Sequence, residues 1–105
     1  MQADFHDSTL RIVFTGDLLS TNVDSLRQAI LASLVGHPTA KAIVVDLKNT
    51  RVVDSKGVNL LIAIFRECET RRLAFAVENP SDAVRRLLAL LNLEARFGLK
   101  TPALS

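Results

Sequence analysis

The stretch Val52–Leu61, VVDSKGVNLL, passes from apolar to polar and back, and sets Asp54, Ser55 and Lys56 side by side between two hydrophobic runs. A serine so placed suits three kinds of chemistry: it can cap a helix, act as a nucleophile, or accept a phosphate. Nucleophilic attack needs a base within hydrogen-bond reach, and the two histidines, His6 and His37, lie far from Ser55 in sequence. The Asp-Ser-Lys-Gly string also lacks a second glycine, of the two that a nucleophile elbow carries. Asp17 and Asp54 could meet as paired carboxylates, yet no histidine or metal-ligand spacing accompanies them. Cys68 stands alone, and with isolated histidines it builds no metal site. Neither a GxGxxG nor a GxxxxGK[ST] loop occurs, so no phosphate cradle and no cofactor is expected. The expectation is a protein that is not an enzyme.

The remaining reading of Asp-Ser-Lys-Gly is a helix start. Asp54 or Ser55 caps the free backbone N–H groups, and Gly57 lets helix and strand approach closely. The flanking elements agree. Leu10, Ile12 and Phe14 alternate with Arg11, Val13 and Thr15, the period of a strand with one buried face, and QADFHDST upstream can supply a short partner strand and turn. Val23, Leu26, Ile30 and Leu34 recur at helical spacing until Gly36-His37-Pro38. KAIVVDL packs apolar residues consecutively, as a central parallel strand covered on both faces does. A second helix from Gly57 to Arg71 carries Leu61, Phe65 and Cys68 on one stripe, which makes Cys68 a buried structural thiol. LAFAV is the next strand. In ENPSDAVRRLLALL, Asn79 can cap a third helix, Pro80 suits its first turn, and Val84, Leu87, Leu88 and Leu91 form its stripe. ARFGL reads as a weak last strand.

The fold expected is α/β: a mainly parallel sheet of four to five strands, with an antiparallel amino-terminal strand and three to four helices. All 105 residues fit a single domain. In such sheets the loops after the strand carboxyl ends gather along one edge, where ligands and partners are read. Those loops are Gly16–Asn22, Val53–Gly57 and Glu78–Ser81.

Composition narrows the partners. The net charge is +2, with no Trp, no Tyr and five Phe, too few stacking groups and too sparse a basic stripe for a nucleic-acid surface. No apolar run approaches the roughly 20 residues that span a bilayer, so neither membrane insertion nor a leader is expected and the default location is the cytoplasm. Without a heptad pattern, a monomer that forms heteromers is expected.

The string AIVVDLKNTRVVDSKGVNLLIAIFRECETRRLAFAVENPSDAVRRLLALLNL resembles the STAS domain, shared by bacterial anti-sigma-factor antagonists and the cytoplasmic tails of sulfate transporters. The matching features are a strand ending in Asp46-Leu47, the pair Val52-Val53, then Asp54-Ser55-Lys56-Gly57 and an apolar helix. FTGDLLSTNVDSLRQAI looks like the Gly-Glu-Leu-Asp loop and first helix of that family, and the likeness runs from about Leu10 to Leu99. It implies a stand-alone antagonist in a partner-switching pathway. Unphosphorylated, it binds and sequesters an anti-sigma factor that is also a serine kinase of the histidine-kinase-like ATPase type. Phosphorylation on Ser55 abolishes that binding, and a PP2C-type phosphatase restores it.

The partner surface so implied comprises Asp17, Leu19, Ser20, Thr21, Asn22, Asp54, Ser55, Lys56, Gly57 and Asn59. Two departures stand out: Leu19 replaces a carboxylate, and Lys56 replaces a second hydroxyl after the serine. The same resemblance allows a scaffold in a stress-sensing assembly, or a cytoplasmic subunit of a lipid or anion transport complex, with Ser55 then only a cap.

Overall fold

In the computed structural model, which describes residues 1–93 and 95–98, the elements run β1 (Gln2–His6), β2 (Thr9–Val13), α1 (Val23–Gly36), β3 (Ala42–Asp46), α2 (Ser55–Arg71), β4 (Ala74–Glu78) and α3 (Asp82–Leu90). The four strands form one sheet in the order β1-β2-β3-β4. β1 pairs antiparallel with β2, and β2, β3 and β4 are parallel. Asp7 and Ser8 join β1 to β2 with φ of 50° and 64°, the left-handed pair that a tight hairpin needs to match strand twist.

Strand alternation sorts the sheet into two unlike faces. Leu10 and Ile12 of β2, Ile43 and Val45 of β3, and Val77 of β4 are buried on the face that carries the helices. Against them pack Ile30 and Leu34 of α1, Leu61, Ile64 and Cys68 of α2, and Val84 and Leu88 of α3. Phe65, Phe75 and Phe97 close one side of this core in tilted and edge-to-face contacts, with centroids 5.4 to 5.9 Å apart.

The opposite face holds Arg11, Ala42, Val44 and Ala76, all half-buried. The expectation that β3 is covered on both faces therefore fails: Ile43 and Val45 lie under the helices, while Ala42 and Val44 are only half-buried on the other face. On this face Arg11 donates from Nη2 to Asp46 Oδ2 and to Glu78 Oε1, both at 2.7 Å, and so bridges three strands.

ARFGL does not form a strand among the described residues. Ala95–Gly98 is a turn, attached to β4 by a hydrogen bond from Val77 N to the Phe97 carbonyl, while Leu99 lies outside the described residues. Gly98, at φ 66°, lies where a Cβ would press on Ala76, 3.2 Å away. A glycine there makes a turn rather than another rung of the sheet.

No helix among the described residues is long and apolar enough to cross a membrane.

Candidate functional site

The three loops at the strand carboxyl ends are tied into one platform by their own side chains. Leu18 and Val53 form an isolated parallel bridge, with Leu18 N donating to the Val52 carbonyl and Asp54 N to the Leu18 carbonyl at 3.0 and 3.1 Å. Asp17 Oδ1 accepts from the N–H groups of Arg51 and Val52 at 2.9 and 3.1 Å. Those two backbone bonds hold its carboxyl below the ordinary value of 3.8. The buried Thr50 hydroxyl donates to the Gly16 carbonyl at 2.8 Å. From the third loop, Ser81 Oγ reaches the Arg51 carbonyl, and Asn79 Nδ2 donates to Asp46 Oδ1.

Asp54 is the N-cap of α2. Its Oδ1 accepts from Gly57 N and its Oδ2 from Ser20 N, each at 2.9 Å, so one carboxylate both starts a helix and fastens the loop ahead of α1. The bond from Gly57, then that from Ser20, lowers its pKa from 3.8. Of the two capping candidates, the structure thus selects Asp54. Its extended backbone, φ −85° and ψ −175°, turns the carboxylate over the first helical N–H groups, whereas Ser55 already has its place within the helix. Ser55 is exposed at the first position of α2, and no side-chain hydrogen bond engages its hydroxyl among the described residues.

Gly57 is buried under the loops. A Cβ there would collide with the Leu18 carbonyl oxygen and stand 2.7 Å from Val53 Cγ1, so Gly57 enables close packing and presents nothing to a partner. Lys56 and Asn59 are exposed, and Asn59 lies one turn beyond Ser55. Ser20 and Thr21 are exposed, while Leu19 is half-buried with its N–H on Asn22 Oδ1 at 3.0 Å. Asn22 also donates from Nδ2 to the Asp17 carbonyl, so it orders the loop rather than capping α1 through its side chain.

The residues named from sequence are therefore brought together, with divided roles. Asp17, Asn22, Asp54 and Gly57 build the platform, and Ser20, Thr21, Ser55, Lys56 and Asn59 form its open surface. Asp17 and Asp54 do not pair; each carboxylate is occupied by different backbone N–H groups. Both histidines sit toward the other end of the sheet: His6 pairs with Thr9, the first residue of β2, and His37 shortly precedes β3. Ser55 has no imidazole beside it to act as base.

Two contributors escape a reading by spacing. Ser81, not Asn79, caps α3 by accepting from Val84 N at 3.2 Å, while Asn79 takes a left-handed φ of 54° and serves Asp46. The Ser-x-x-Val spacing ahead of an apolar stripe was the available signal, and the rival Asn-Pro pair masks it. The second is an apolar groove between α2 and α3, whose lining reads in sequence as ordinary core stripe.

This geometry has relatives. A family model described as "Mlab, STAS domain" matches residues 1–101. An anti-sigma factor antagonist from Mycobacterium paratuberculosis superposes with a TM-score of 0.81 at 25% identity, covering 96% of this chain and 84% of that one. The stressosome, described as a signal integration and transduction hub, contains a chain matching at 0.72 and 25%, over 95% and 85% of the two lengths. The fold is also that of the anti-sigma factor antagonist SpoIIAA in its unphosphorylated form, with a TM-score of 0.78, 23% identity, and coverage of 97% and 89%. The helix-capped Asp54-Ser55 loop, the four-stranded sheet and the family model agree, and the chain belongs to the STAS-domain family.

Proposed function

We propose that this chain is an anti-sigma-factor antagonist working by partner switching, with Ser55 as the phosphorylated residue. One observation carries the reading: at the start of α2 the cap is made by Asp54, leaving the Ser55 hydroxyl exposed and unengaged among the described residues. A phosphate there adds about −1.5 to −2 charges at neutral pH. The domain tolerates it, because the positive end of the helix dipole and the free N–H groups of the first turn favour an anion. A bound partner does not. Closing an interface over an unpaired dianion next to Asp54 costs on the order of several kcal/mol. Modification therefore ends binding without unfolding the domain.

In this reading the unphosphorylated form binds an anti-sigma factor that is itself a serine kinase of the histidine-kinase-like ATPase type, and a PP2C-type phosphatase resets the cycle. The likeness to the mycobacterial antagonist supports the antagonist role. Asp17 has a different duty from direct contact, since its carboxylate is engaged by Arg51 and Val52. Leu19, where relatives carry a carboxylate, supplies an apolar contact beside the exposed Ser20 and Thr21. The test is binding of the kinase to Ser55→Ala and Ser55→Asp by calorimetry. Ser55→Ala binds as the native protein does, and Ser55→Asp loses at least about tenfold. Equal binding by both removes charge at Ser55 as the control.

The likeness to a stressosome chain favours a second reading, a scaffold in a signalling assembly. There the protein sediments as a large complex with its partner, and Ser55→Asp changes output without dissolving the complex.

A further inference from the structure

Beside Ser55 the surface opens into a groove of about 510 Å³ between α2 and α3. Val53, Val58 and Leu93 form its buried floor, Ile62 and Leu87 its half-buried walls, and Leu91 an exposed edge. Among the described residues that line it, the polar ones are Ser55 and Asn59, both on the lip. Among the described residues five large apolar side chains are exposed, and one of them, Leu91 at 47%, lines this groove. An open trough lined almost wholly by apolar side chains, with an exposed leucine on its rim, is the kind of surface that another molecule covers.

The charges beside it are mainly basic. Across the Asn59–Ile62 ridge of α2 lies a second channel, lined by Arg27 and Arg66, and the Lys56 end of α2 adjoins it. Neither arginine has an ion-pair partner among the described residues, whereas Glu67, which also lines the channel, is held by Arg71 Nε at 2.7 Å. Asp24 faces Arg27 and Lys56 and offsets part of this charge. The surface therefore reads, from α3 to α1, as an apolar trough and then a basic ridge.

We infer that this trough is the docking site for an acidic amphipathic helix of a partner protein, and that Ser55 gates it from the lip. The inference rests on the partner-switching reading above and names the chemistry of the partner segment. From Ser55 to Ile62 the lip runs about 10 Å along α2, two helical turns, the span over which an amphipathic helix presents anchors at i, i+3, i+4 and i+7. Its carboxylate flank meets Arg66 and Arg27. A second copy of this chain fits less well, since a two-fold contact on this face sets the basic ridge of one copy near that of the other. A membrane surface prefers protruding apolar side chains to a recessed trough. A phosphate on Ser55 falls on the lip that the acidic helix must cross, and like charges repel it.

The test uses a fluorescein-labelled helical peptide of roughly 16 residues, long enough for a stable amphipathic helix, with a Leu stripe and Glu flanks. Anisotropy is read against the unphosphorylated protein and against Leu91→Glu, Arg66→Glu, Ser55→Glu and Val35→Ser, each checked for an unchanged circular dichroism spectrum. Leu91→Glu is expected to weaken binding at least about tenfold, Arg66→Glu and Ser55→Glu each about threefold, and Val35→Ser, an exposed apolar change elsewhere, not at all. A peptide with Lys flanks binds more weakly than the Glu form.

Three results overturn the inference: no peptide binding, equal binding of the Glu and Lys peptides, or indifference to Leu91→Glu. Self-association in sedimentation velocity that Leu91→Glu abolishes assigns the trough to a second copy instead. Binding to phosphatidylglycerol vesicles in preference to the peptide assigns it to membrane. The titration needs no kinase and phosphate mapping needs no peptide, so either reading can fail without the other.

Discussion

Ser55 and Asp54 are adjacent in sequence and divided in duty. The string Asp-Ser-Lys-Gly announces a helix start, but Asp and Ser are near-equal caps, so only the backbone geometry around Asp54 decides between them. The consequence is testable at single residues. Asp54→Ala removes the acceptor for both Gly57 N and Ser20 N, so it lowers the melting temperature and speeds hydrogen exchange at the Ser20 amide. Ser55→Ala changes neither quantity. A matching loss of stability in Ser55→Ala contradicts the division of labour. Cys68 behaves as its helical stripe implies: burial, followed by the charge of Glu67, pushes its thiol up to about 12. It stays unreactive to a disulfide reagent in the native protein and reacts once the chain is denatured.

At the scale of elements, alternation and helical spacing made β2, α1, α2 and the stripe of α3 legible, because burial on one face imposes a period. What they left open is which surfaces have a neighbour. Val44 reads as doubly covered, yet it shares its sheet face with Ala42, Ala76 and the Arg11 ion pairs. Leu87 and Leu91 read as core, yet they edge a groove. An apolar residue at the right period records that its face leaves water, not what covers it. Asn79 failed as a cap for a related reason: its left-handed backbone turns its amide to a tertiary partner, with Nδ2 donating to Asp46 Oδ1, and leaves the helix N–H groups to Ser81. Gly57 yields the sharpest prediction here. Gly57→Ala drives a methyl into Leu18 and Val53, which parts the two loops and costs about 1–3 kcal/mol, read as a fall in the midpoint of urea unfolding at constant m-value. No loss of stability means that α2 and the Leu18 loop are not in close contact.

Across the whole molecule, three carboxylates fix the loop edge, and this sets how the fold responds to acid. For Asp46, burial works to raise the pKa, but hydrogen bonds from Lys48 N, Asn79 and Arg11 together carry it below 3.8. Asp17 and Asp54 are lowered as well. A group whose folded pKa is depressed contributes stability that is present above its unfolded value and lost as the pH falls through the folded one. The melting temperature is therefore expected to hold from about pH 7 down to about pH 5, then to fall steeply below about pH 4. Asp46→Asn lowers stability at neutral pH by about 1–3 kcal/mol, since it leaves Arg11 short of an acceptor, and flattens the acid limb. A stability profile indifferent to acid contradicts the loop-edge network.

The central claim is that one exposed hydroxyl on this edge carries the switch, and intact-mass analysis tests it most directly. The protein is incubated with ATP and its cognate histidine-kinase-like ATPase, then mapped by peptide fragmentation. A single phosphate on Ser55, absent from Ser55→Ala and accompanied by release of the kinase, is the result expected. An unmodified Ser55 in a complex that persists in ATP, or a phosphate on another residue, contradicts the account.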